Sequence, residues 1–65
     1  STDDFEDVFN MSADEIKEIV PTLPGGTKDA IASEAKKKID SGELDSRSAI
    51  KALEDSLDVE LEDTI

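Results

Sequence analysis

A chain of 65 residues with 18 acidic and 7 basic side chains, no cysteine and no histidine carries a net charge of −11. Those absences exclude disulfides, thiolate nucleophiles, Cys/His zinc sites and imidazole acid–base catalysis. The charge repels phosphate backbones and anionic lipid, so the expected partner is another protein with a basic surface, with no direct nucleic acid and no membrane.

Residues 1–10 set Asp3, Asp4, Glu6 and Asp7 around Phe5, Val8 and Phe9. The apolar positions have i, i+3, i+4 spacing, which predicts a short amphipathic turn of helix if the segment docks. Undocked, it is an acidic–aromatic tail. Both aromatic residues of the chain lie here, so Phe5 and Phe9 either complete the core or anchor a partner.

Ser12 and Glu15 have the spacing of a capping box, with Met11 and Ile16 placed as a hydrophobic staple. A helix over 12–20 follows, with Ala13, Ile16, Ile19 and Val20 on its inner side and Pro21 at its end. The stretch from Pro21 to Gly26 reads as a connection. Its Gly-Gly-Thr-Lys lacks the glycine spacing and the preceding strand of a phosphate loop. Thr27 is the candidate cap of a helix over 28–41, whose alanine-rich inner side suits close approach of a neighbour. Lys36, Lys37 and Lys38 fan out by about 100° each and read as a solvated helix end. Gly42 suits the left-handed closing position.

Asp45 or Ser46 caps the last helix, 46–57, where the amphipathic pattern is strongest. Ala49, Ile50, Leu53 and Leu57 cover one arc, and Arg47, Lys51, Glu54 and Asp55 the opposite one. Beyond Leu57 the spacing breaks. Val59 and Leu61 alternate with Glu60, Glu62 and Asp63, predicting an extended acidic tail over 58–65.

The predicted fold is all-α: a small three-helix bundle over 11–57, with a short N-terminal helical turn and an extended acidic C-terminal tail. The helices at 28–41 and 46–57 are expected to form an antiparallel hairpin. Residues 1–26 carry −6, residues 27–53 carry +1 and residues 54–65 carry −6. The excess charge therefore sits at the two ends.

Carboxylates alone make a poor catalytic set, because a general acid needs a raised pKa from burial in a cleft. The acids around Gly42 lack the ligand order of a calcium loop. A recognition helix at 46–57 would have only Arg47 and Lys51 as cationic donors. No enzyme, cofactor or metal is expected.

Gly42-Glu-Leu-Asp-Ser46, followed by Ala49-Ile50-x-Ala52-Leu53-Glu54 and Val59-Glu60-Leu61-x-Asp63, resembles the second helix of acyl carrier proteins and its exit. In that family a serine at the helix start carries phosphopantetheine. The corresponding position here is Glu43, which cannot be so modified, and the family's later helices are missing. The resemblance covers about a third of the chain and transfers no carrier function.

The expected function is a non-catalytic acidic protein-binding module, an adaptor, regulator or assembly factor acting by stoichiometric association. The alternatives are a nucleic-acid-mimicking inhibitor of a basic DNA- or RNA-binding enzyme and a self-associating structural subunit, so a homo-oligomer is possible. The candidate anchors are Phe5, Phe9, Leu23, Val59 and Leu61. Asp3, Asp4, Glu6, Asp7, Glu60, Glu62 and Asp63 would form the rim. A soluble chain with a cytoplasmic location is the default, since no apolar run approaches the ~20 residues of a membrane span.

Overall fold

The computed structural model of the chain describes residues 4–62, among which every regular element is helical. A 3-10 helix spans Asp4–Asn10, then come α1 (Ala13–Ile19), a 3-10 turn (Val20–Thr22), α2 (Gly25–Ser41) and α3 (Arg47–Leu57). The predicted small all-α bundle is the fold observed. None of these helices is long and apolar enough to cross a membrane.

At the start of α1 the capping box closes in both directions. Ser12 Oγ accepts the Glu15 N–H at 3.2 Å, and the Glu15 carboxylate accepts the Ser12 N–H at 3.0 Å. The Ser12 backbone N–H, then its hydroxyl, hold the Glu15 carboxyl below the usual carboxylate range. The stabilisation is thus complete above the ordinary glutamate pKa and fades as pH falls through the lowered one. Seven residues are too few for a helix on its own, since isolated helices under about 12–15 residues are marginal in water. Tertiary burial of Ile16 and Val20 supplies what length does not.

Pro21 does not simply stop the chain. After Ile19 the backbone tightens into the 3-10 turn, where the Thr22 hydroxyl donates to the Ile19 carbonyl at 2.6 Å. α2 then begins at Gly25, three residues before the expected start at 28. Its cap is Pro24, not Thr27. Pro24 is extended, and its carbonyl accepts the N–H groups of Thr27 (3.0 Å) and Lys28 (3.1 Å), drawing both glycines into the first turn.

The helix ends are closed locally. Gly42 takes φ 83° and donates to Ile39, and Ser46 Oγ caps α3 by accepting the Ala49 N–H at 3.3 Å. At the end of α3, Asp58 occupies the left-handed region with φ 57°. A side chain there costs more than glycine does, and a carboxylate at a helix C-terminus opposes the dipole. Conversely, Gly26 is helical in open space, with nothing within 4 Å of an added Cβ. Asp58→Gly and Gly26→Ala are each expected to add roughly 0.5–1 kcal/mol. Thermal melts should show each raising Tm by several degrees; a lower Tm for Asp58→Gly would contradict the left-handed assignment.

The core is wholly apolar. Val8, Ile16, Val20, Ile31, Ala35, Leu44, Ile50, Ala52, Leu53, Leu57 and Leu61 are buried, and no polar side chain is among them. The expected hairpin of the second and third helices is not the main pairing. α3 comes closest to α1, while α2 packs against the N-terminal 3-10 helix and meets α3 less extensively. The reason lies in the stripes: α3 buries four apolar residues, including the small Ala52, whereas α2 fully buries only Ile31 and Ala35.

Within the expected extended acidic tail, residues 58–62 make contacts with α3, and Leu61, expected as an exposed anchor, is buried. Val59 N–H donates to the Glu54 carbonyl at 3.2 Å, and Leu61 N–H donates to the Glu54 carboxylate at 3.0 Å. Glu62 then pairs with Arg47 at 2.6 Å. These three contacts fold residues 58–62 back along α3 and seat Leu61 in the core.

Candidate docking surface

The N-terminal helix decides where the aromatic groups go. With three residues per turn, Phe5, Val8 and Met11 fall in one row. The Met11 N–H extends the pattern by donating to the Val8 carbonyl at 3.2 Å. Phe9 lies a third of a turn away. The expected single stripe of Phe5, Val8 and Phe9 is therefore split.

The row of Phe5, Val8 and Met11 helps line an open groove of about 270 Å³. Ile19, Leu23, Asp7 and Thr27 complete its lining. Phe5, Met11 and Leu23 are half-buried, and Ile19 is 37% exposed. Two larger hollows are lined mainly by charged side chains. One holds Lys36, Asp40, Glu60 and Glu62, and the other Lys51, Glu54, Asp55 and Asp58. Size does not favour them, because solvated charges lose little by staying in water, whereas an apolar concavity gains from being covered.

Ile19 reaches the groove because α1 is short and its apolar arc is wide. At about 100° per residue, Ala13, Ile16 and Val20 cluster within about 60° of one another, and Ile19 sits a further 60° out. The same geometry puts Glu15 beside Ile19 and Glu18 on its flank. Both carboxylates are exposed, as is Asp7. Residues 4–27, which supply the whole groove, carry six acids and a single internal base, Lys17.

Phe9 has a different neighbour. Lys38 Nζ lies 5.2 Å from its ring centroid, 3.9 Å from Glu6 and 3.3 Å from Glu43. The side chain of Lys38 is only 19% exposed. Lys36, about 200° around α2, borders the hollow that contains Glu60 and Glu62. The lysine run is therefore not merely a solvated end. It seats the acidic N-terminal helix on one side and flanks the acidic return segment on another.

Of the residues expected from sequence, the groove gathers Phe5, Asp7 and Leu23. Asp4 opens the N-terminal helix, Glu6 and Phe9 face Lys38, and Leu61 is buried in the core. Glu62 is held by Arg47, and Val59 and Glu60 stay exposed on the far segment. Asp3 and Asp63 lie outside the described residues. Val8, Met11 and Ile19 were expected in packing roles, not as site residues; their i, i+3, i+6 and helix-edge positions are the signals that place them at the groove. No group of three or more acidic side chains among the described residues is disposed to hold a metal ion. Comparison with known proteins finds no family model, no curated relative and no solved structure that matches this chain.

Proposed function

We propose that this protein is a non-catalytic binding module that associates stoichiometrically with a protein of basic surface, in the cytoplasmic setting expected from its sequence. One observation carries the reading: an apolar groove left open to water within an acidic segment of an already acidic molecule. Apolar groups give such a site its affinity, and the surrounding carboxylates steer and select a cationic partner. A net charge of −11 on every copy opposes self-association through the same face.

The test is affinity capture from a lysate of its source cells at about 0.1 M and 0.5 M salt, beside sedimentation of the purified protein. The expected result is a monomer that retains a basic protein at both salts. A partner lost completely at the higher salt supports charge mimicry instead. Capture of nothing, or concentration-dependent self-association, overturns the reading.

A further inference from the structure

The groove's chemistry also restricts the shape of what occupies it. Building on the binding role, we infer that the groove of Phe5, Val8, Met11, Ile19 and Leu23 accepts a cationic amphipathic helix, inserting one or two apolar side chains.

The argument has three parts. First, the volume of about 270 Å³ lies just below the range of roughly 300–1,000 Å³ typical of small-molecule pockets. It is open on one side, so it matches projecting side chains better than an enclosed ligand. Second, the described residues contain no strand. An extended peptide bound here would find no sheet edge to pair its N–H and C=O groups, whereas a helix satisfies its own backbone and offers side chains alone. Third, Asp7 lines the groove, and Glu15 and Glu18 are exposed on the same short helix that supplies Ile19. Lysine or arginine flanking the inserted residues meets those charges, while an acidic helix is repelled. A second copy of this chain, at −11 overall, is opposed by its net charge.

Three synthetic peptides of leucine and lysine, each about 16 residues and identical in composition, separate the possibilities. One has leucine at helical spacing, one alternates for an extended conformation, and one is scrambled. Each is titrated into the isotope-labelled full chain at about 0.3 M salt, where diffuse charge attraction is muted. The helical peptide is expected to shift the amide resonances of Val8, Met11, Ile19 and Leu23 and to bind about tenfold or more tightly than the other two. Ile19→Glu, at an exposed position, should remove that preference while keeping the wild-type helical circular dichroism. Val59→Glu, at the other exposed large apolar residue, should leave it intact. Equal binding of all three peptides, or shifts centred on residues 54–62, overturns the inference. So does undiminished preference in Ile19→Glu. Should lysate capture succeed and prove insensitive to Ile19→Glu, the binding role stands and the groove assignment falls.

Discussion

Ile16→Ala is expected to leave much of the protein unfolded at 25 °C, whereas Ile19→Ala, three residues on in the same helix, leaves it folded. Ile16 is fully buried and Ile19 is 37% exposed. Truncating a buried isoleucine costs about 2–5 kcal/mol, and a domain of this size rarely holds more than about 3–5 kcal/mol in total. The seven-residue α1 has no reserve of its own, so losing Ile16 removes the contact that makes it helical. Its loss also exposes the face of α3 that α1 covers. Urea titration followed by circular dichroism reads both variants. Equal midpoints for the two would show that α1 does not dock through Ile16. The contrast matters for function too, because Ile19 can vary with the partner while Ile16 cannot.

Leu61→Ala is the second large effect, with an expected loss of about 2–3 kcal/mol. For a domain of 65 residues that lowers Tm by roughly 10–20 °C. Val59→Ala, two positions earlier, should change Tm by only a degree or two, since Val59 is 38% exposed and Leu61 only 7%. The difference arises from the reversal at Asp58 and from Glu54, whose carboxylate accepts the Leu61 N–H. The Arg47–Glu62 pair adds less, because Arg47 is largely exposed and such pairs contribute about 0–1 kcal/mol. If Leu61→Ala melted with wild type, Leu61 would not be seated in the core, and the burial seen here would be overturned.

The groove and the core also account for how two aromatic residues suffice. Phe5 and Phe9 are both half-buried against the core, yet one borders the open apolar groove and the other the mostly covered side chain of Lys38. Substituting either therefore tests something different. Phe9 reports on the seating of the N-terminal helix upon α2, and Phe5 on the groove wall.

What could be read without coordinates was whatever depends on residues within about four positions of each other. The Ser12–Glu15 box, a cap at Asp45 or Ser46, the left-handed Gly42 and the apolar arc of α3 all belong to that class, since each is a short-range bond or a helical repeat. Three helices and their approximate limits followed from them. The structure adds that Gly25 and Gly26 lie inside α2, drawn in by the Pro24 carbonyl against their intrinsic preference. It also decided that residues 4–10 wind with three residues per turn, and that Leu44 and Leu61 enter the core. The pairing of α1 with α3, and the assembly of Phe5, Met11, Ile19 and Leu23 into one groove, were equally invisible beforehand. The helix pairing and the groove join segments distant along the chain. Local spacing sets which side chains share a face, but the partner of that face is chosen by packing among all the helices together.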